Sequence, residues 1–277
     1  MSTQPPARGN ARLIVALGGH EFTRKRGNEA LLEYMLALAP PEPRVCLLPT
    51  ASGDAADQIR DFRAAVGPRA SEVSHVSLFR LEHESVRLRE HLLSQDLIYV
   101  GGGSMVNLLA VWRAHGIDEL LIEAWHRGTI LCGQSAGAMC WFEHGISRGS
   151  GRAARVEGLG LVPGVLSVHY HRDADRRTAL HAEVEAGRSP GYGVDDGAGL
   201  LIRGGRVASA VSGTTDAGAW RVEIADDGVV REVSLNPMPL PSPRPAIDEL
   251  PSEVVELRAV RASRAGVGAR AVRRRGG

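Results

Sequence analysis

The residues that offer chemistry begin with a serine. "GQSAG" at 133–137 sets Ser135 among small residues, after the apolar run "TILC" and before "AGAMCWFEHG". G-x-S-x-G at a strand-to-helix turn is a nucleophile elbow: the sharp turn exposes the hydroxyl, and small neighbours let strand and helix approach closely. The N–H groups after the serine, that of Ala136 above all, open a helix and are placed to stabilise an oxyanion. A glycine-rich turn is the plain reading of the same five residues, in a chain with 33 glycines. The apolar run before the motif and the helical spacing after it favour the nucleophile.

A serine hydroxyl needs a base, and the base needs an orienting carboxylate. Ten histidines are available. His20 follows the first strand-like run. His75, His83, His91, His115 and His126 fall in early elements or at helix ends and read as surface or packing residues. His169 and His171, in "VHYH" (168–171), come after the serine on one face of a strand-like segment, and both are candidates for the base. His144 is too near Ser135 along the expected helix to turn back to it. For the acid, Asp195 and Asp196 end "YGVDD" (192–196), where Asp196-Gly197 is also a turn signal. Asp173 and Asp175 read as caps of the helix after them. Gly101-Gly102-Gly103-Ser104 exposes backbone N–H groups between a strand and a helix and offers a second oxyanion donor. It is not a dinucleotide fingerprint, because Val106 stands where G-x-G-x-x-G needs its last glycine.

The elements that must hold these residues alternate. "RLIVALGG" (12–19), "RVCLLPTAS" (44–52), "EVSHVSLF" (72–79), "DLIYVGGG" (96–103) and "TILCGQS" (129–135) read as strands, most of them continuously apolar. Helical spacing falls between them at 28–39, 54–66 with Asp54 as N-cap, 84–95, and in two segments from 104 to 128. Such β-α alternation predicts a mostly parallel sheet with helices on both faces, an α/β fold whose sites gather at the carboxyl ends of the strands. After residue 150 the pattern changes to a strand at 165–171, a helix, and β-hairpins with Gly-Gly and Asp-Gly turns. One domain over 1–235 is expected. The proline-rich stretch from 236 and an arginine-rich tail to 277 follow it as flexible chain.

The 277 residues are 43% hydrophobic and 23% charged, enough for a real core. No apolar run reaches the roughly 18 residues of a membrane span, and "MSTQPPARGNAR" lacks the apolar stretch of a secretory signal. A cytoplasmic protein with no membrane partner is expected. Cys46, Cys132 and Cys140 give an odd count without zinc-site spacing, so free thiols are expected rather than disulfides or a metal site. Six of the 33 basic residues lie in 261–277, which leaves an acidic balance elsewhere, and no nucleic-acid partner is expected. Lys25 is the one lysine, which removes most lysine-based nucleophile and phosphate chemistry.

With these landmarks in place, the sequence resembles the peptidase E family, the aspartyl dipeptidases, which also includes cyanophycinase. The resemblance spans roughly residues 11–215. It rests on "ALGG" (16–19), "LLPTASGD" (47–54), "YVGGGSMVNLL" (99–109), "GQSAGAMCWF" (133–142), "VHYH" (168–171) and "GVDDGAGLL" (193–201), in that order. It implies a fold similar to class I glutamine amidotransferase domains, with serine replacing the cysteine nucleophile. The implied order is serine, histidine, acid, which differs from the serine, acid, histidine order of α/β-hydrolases. On the matching positions Ser135 is implied as nucleophile, His169 as base and Asp196 as acid, where the family often has glutamate. Gly103 and Ala136 are implied as oxyanion donors, with Gly102 as the neighbouring alternative. An arginine after the histidine segment is implied to bind a substrate's acidic side chain; of Arg172, Arg176 and Arg177, Arg176 is the candidate. No metal or organic cofactor is implied. The expected activity is serine-peptidase cleavage of short peptides such as dipeptides with N-terminal Asp, by a monomer or homodimer. The alternatives are a cyanophycinase-like hydrolase of β-aspartyl-arginine or another amide, and a non-catalytic amidotransferase-like binding module.

Overall fold

The computed structural model describes residues 12–19, 26–80, 85–149, 151–187 and 190–241, and these lie in one compact unit. His20, His83, the arginine tail and most of the proline-rich stretch lie outside the described residues. The strands are β1 Leu13–Leu17, β2 Arg44–Leu48, β3 Glu72–His75, β4 Leu97–Val100, β5 Ile130–Gln134, β6 Phe142–Ser147 and β7 Ala154–Glu157. They continue as β8 Val162–Val168, β9 Gly191–Val194, β10 Ala198–Arg203, β11 Arg206–Ser212, β12 Ala219–Ile224, β13 Val230–Ser234 and β14 Met238–Pro239. The helices are α1 Arg26–Ala37, α2 Ala56–Val66, α3 Ser85–Leu93, α4 Met105–His115, α5 Ile117–His126, α6 Ala136–Met139 and α7 Ala174–Glu185.

The strands form two sheets. The larger runs β14-β11-β10-β1-β5-β4-β2-β3, with β1, β5, β4, β2 and β3 mutually parallel and β10 antiparallel to β1. The smaller runs β13-β12-β9-β8-β6-β7, with β6, β8 and β9 parallel. The parallel part of the larger sheet is the one expected from the alternating pattern. Its inner strands β1, β5, β4 and β2 are largely apolar because both faces are covered, while the edge strand β3, Glu72–His75, is polar. Successive residues of β1 feed opposite cores: Leu13, Val15 and Leu17 pack with Leu31 and Met35 of α1 and Phe62 and Val66 of α2. Ile14 and Ala16 pack with Trp112 of α4 and Leu121 and Trp125 of α5. One side of the smaller sheet contributes Phe142, Leu166, Val168 and Val194 to that second core. Its other side packs Ile146, Val165 and Val222 against Leu180 and Val184 of α7.

Three local expectations are corrected. "AGAMCWFEHG" is not one helix: α6 stops after Met139, and Phe142 opens β6, which places His144 on a strand. No polar residue marks the change at Cys140-Trp141, and a short apolar stretch fits a buried helix or a buried strand equally well. Asp54 does not cap α2, whose cap position is Ala55; the Ala55 N–H donates to the Ser52 hydroxyl oxygen instead. His169 and His171 do not share a strand face, because β8 ends at Val168 and His169 turns to φ 54°. Past residue 235, β14 pairs with β11 and extends the larger sheet by a two-residue edge.

Candidate active site

The rim where chemistry can occur follows from strand order. β1, β5, β4 and β2 are adjacent and parallel, so Gly18-Gly19, Ser135, Gly101-Gly102-Gly103 and Pro49-Thr50 leave the same edge of the larger sheet. Ser135 follows β5 at φ 50° and ψ −114°, a conformation that costs a non-glycine residue about 1–3 kcal/mol. Its N–H donates to the Leu17 carbonyl at 3.1 Å, which ties the turn to β1. The turn is this tight because Gly133 and Gly137 meet: a Cβ on Gly133 would stand 2.0 Å from the Gly137 carbonyl oxygen. The "GxSxG" glycines are therefore a steric requirement of the elbow, not composition.

The smaller sheet supplies the partners. β8 and β9 are parallel neighbours with Val168 opposite Val194, so His169 and Asp195-Asp196 emerge side by side. Asp196 lies where the chain crosses from β9 to β10, in a parallel bridge to Gly19. The Ser135 Oγ stands 3.0 Å from His169 Nε2. His169 Nδ1 hydrogen-bonds the Asp196 Oδ1. With Nδ1–H donating to the carboxylate, Nε2 is the acceptor for the serine hydroxyl. The His169 hydrogen bond holds the Asp196 carboxyl below the usual carboxylate range, and Arg172, 3.3 Å from Oδ2, adds to this.

Asp195 has a different place. Its Oδ1 accepts the His171 N–H at 2.9 Å, and its Oδ2 accepts the Gly218 N–H at 3.1 Å and lies 3.2 Å from His171 Nδ1. Adjacent aspartates thus divide the work: Asp195 ties down the turn beyond the histidine, and Asp196 faces the imidazole. His171 stands edge-on to Trp220, 4.1 Å between centroids, away from Ser135's partner nitrogen.

Of the expected backbone donors, Ala136 is the first residue of α6, where an N–H has no partner one turn back within its helix. Gly102 lies directly against the serine, since a Cβ on it would be 3.4 Å from Ser135 Cβ. Gly103 adopts φ 146° with its α-carbon pressed against the Ala51 carbonyl.

A cavity of about 620 Å³ opens beside His169, lined by Arg148, Arg172, Asp173, Ala174 and Asp175. Arg176 is not in its wall. That side chain is 12% exposed, donates to Asp173 at 3.2 Å and to the Ile146 carbonyl at 3.2 Å, and is held behind the helix start. Arg172, 83% exposed, and Arg148 are the guanidinium groups at the cavity. Arg148 bridges Asp173 at 2.8 Å and Asp175 at 2.6 Å. Sequence reasoning missed Arg148, although it follows β6 directly, at the carboxyl end of a parallel strand where sites collect. It also missed Gly19, whose Cβ would fall 2.0 Å from Asp196 Oδ1 and 2.9 Å from His169 Cε1. The cysteines do not compete as nucleophiles: all three are buried, and burial pushes the Cys46 thiol up to about 12 and raises those of Cys132 and Cys140.

This chain matches the family model "Peptidase family S51" over residues 14–210. It is 38% identical over 229 residues to the uncharacterized peptidase YgaJ of Bacillus subtilis (strain 168), covering 82% of this chain and 97% of that protein. Two solved structures share the fold. A peptidase from an acI-B1 actinobacterium superposes with a TM-score of 0.63 at 19% identity, over 83% of this chain and 97% of its own. A putative peptidase E protein from Listeria monocytogenes EGD-e superposes with a TM-score of 0.56 at 16% identity, over 73% of this chain and 98% of its own.

Proposed function

The chain belongs to peptidase family S51, a family of serine peptidases, and on that premise we propose that it cleaves short peptides through an acyl-enzyme on Ser135. The observation that carries this is the hydrogen-bonded line from the Ser135 hydroxyl through His169 to Asp196. His169 Nε2 takes the hydroxyl proton as Oγ attacks the scissile carbonyl carbon. The negative charge that develops on the carbonyl oxygen is met by backbone N–H groups at Ala136 and Gly103, with Gly102 as the neighbouring alternative. Asp196 keeps the imidazole in the tautomer that accepts at Nε2 and stabilises its cation. The imidazolium then gives its proton to the departing amine. Water, deprotonated by the same nitrogen, attacks the ester, and the acid product leaves with Ser135 restored.

The substrate reading is a dipeptide with N-terminal Asp, supported by two guanidinium groups at a cavity of small-peptide size. Arg148 and Arg172 take the place that Arg176 held as the candidate for binding the acidic side chain. Asp175, exposed on the same wall, is bridged by Arg148, and exchange of that partner for a substrate guanidinium is the β-aspartyl-arginine reading. A panel of Asp-Leu, β-Asp-Arg and Ala-Leu separates the readings. Preferential cleavage of Asp-Leu, weakened at least ~10-fold in KM by Arg148→Ala, supports the first. Preferential cleavage of β-Asp-Arg supports the second, and equal cleavage of Ala-Leu overturns both.

A further inference from the structure

His169 holds φ 54°, which a β-strand continuation would not give it. Such a backbone persists only where the surroundings fix it. The next residue is the anchor. Tyr170 is fully buried, its N–H donates to the Val194 carbonyl at 3.3 Å, and its ring fills the space over Gly193, where a Cβ would be 2.5 Å from Cδ1. The ring also lies 5.6 Å from Trp220. Its hydroxyl donates to Glu232 Oε1 at 2.5 Å. Glu232 stands on β13, the outer strand of the smaller sheet, yet its side chain is only 14% exposed. Arg177 of α7 donates to both its oxygens, at 2.7 and 2.8 Å, and His181 Nε2 lies 2.7 Å from Oε1 and 3.1 Å from the Tyr170 hydroxyl. Three side chains, one from a turn and two from a helix, therefore close on one carboxylate of an edge strand. None of them lines the cavity or touches Ser135.

We propose that Glu232 is a positioning residue for His169. Acting through the Tyr170 hydroxyl, it fixes the turn that aims the imidazole at both Ser135 and Asp196. This rests on the assignment of His169 as base. Two facts support it independently of that assignment. The Glu232 clamp holds the hydroxyl end of a ring whose faces meet Trp220, His171 and the Arg177 guanidinium, so its loss loosens the end of the ring that those contacts do not fix. The residue on the other side of Tyr170, His171, is separately pinned by Asp195, so slack at Tyr170 is taken up at residue 169.

The test is the second-order rate at which a fluorophosphonate labels Ser135 in the full chain, which needs the base but no particular substrate. Glu232→Gln and Tyr170→Phe are each expected to slow labelling about tenfold or more, since a misplacement of about 1 Å costs up to ~100-fold. Tyr170→Phe removes one oxygen and leaves the ring, so it keeps the test usable if Glu232→Gln folds poorly. The double variant is expected to label no more slowly than the slower single variant, because both act on one contact. Glu232→Asp, a shorter carboxylate, is expected to recover part of the rate. Labelling within twofold of wild type in both single variants overturns the proposal, even if their melting temperatures fall. Multiplicative losses in the double variant overturn the route through Tyr170. His169→Ala provides the separate control: if it labels like wild type, the base assignment fails and the proposal with it. If it abolishes labelling while the Glu232 and Tyr170 variants are unaffected, only the proposal fails.

Discussion

Asp196 carries a short carboxylate, and the backbone brings it to the imidazole. The bridge to Gly19 draws residue 196 up against the first strand, so that a short carboxylate meets the imidazole. Asp196→Asn is expected to lower kcat by about 10³–10⁴-fold with KM little changed, because it removes the group that sets the tautomer. Gly19 itself gives a sharper test. Its φ is not in the left-handed region, so an added methyl acts chiefly through the Asp196 carboxylate and the His169 ring that it meets. Gly19→Ala is expected to cut kcat about 10–100-fold while the melting temperature moves by no more than a few degrees. Steady-state kinetics beside calorimetry checks this, and a variant with full activity would show that the Asp196–His169 contact tolerates displacement. Of these residues, Ser135 was legible from its G-x-S-x-G turn, whereas the residues alone left His169 beside His171 and Asp196 beside Asp195, and only the family resemblance chose between them. Gly19 was not legible, because a glycine's steric role exists only once residue 196 is folded against it.

At the level of elements, the elbow depends on backbone meeting backbone. A methyl on Gly137 would stand 2.3 Å from the Val100 carbonyl oxygen, and neither partner is a flexible side chain. Gly137→Ala is expected to destabilise by about 1–3 kcal/mol or more and to reduce soluble yield, read as a lowered urea midpoint. The strands β1, β2, β4 and β5 could be read from sequence because two-sided burial makes them continuously apolar. The hairpin β10–β11 could be read from Gly204-Gly205 between apolar runs. Two features were hidden. The apolar residues 136–142 carry no period that separates a four-residue helix from a strand. Nor does sequence say that β9 and β10, three residues apart, belong to different sheets, since each is simply a short apolar run beside Asp195-Asp196-Gly197.

For the molecule as a whole, acid stability should depend on the carboxylate that ties α7, β13 and the turn after β8 together. Burial alone would raise the Glu232 carboxyl, but hydrogen bonds from Arg177, Tyr170 and His181 outweigh it and hold it at about 2. A carboxyl depressed on folding contributes stability that is complete above its unfolded value near 4.5 and is lost as pH falls through about 2. Urea midpoints should therefore fall between about pH 4.5 and 2, and fall less steeply in Glu232→Gln than in wild type. A parallel decline in both would locate the acid sensitivity elsewhere. The bridge between Gly19 and Asp196 has a further meaning for a chain made from its N-terminus. The nucleophile is synthesised 61 residues before the acid, and β1 finds its antiparallel neighbour only when β10 has appeared. Until then the serine has no completed partner line, and on the proposed mechanism the growing polypeptide would be silent toward the peptides around it. On that mechanism, hydrolytic competence would arrive late in synthesis, as a by-product of closing the central sheet.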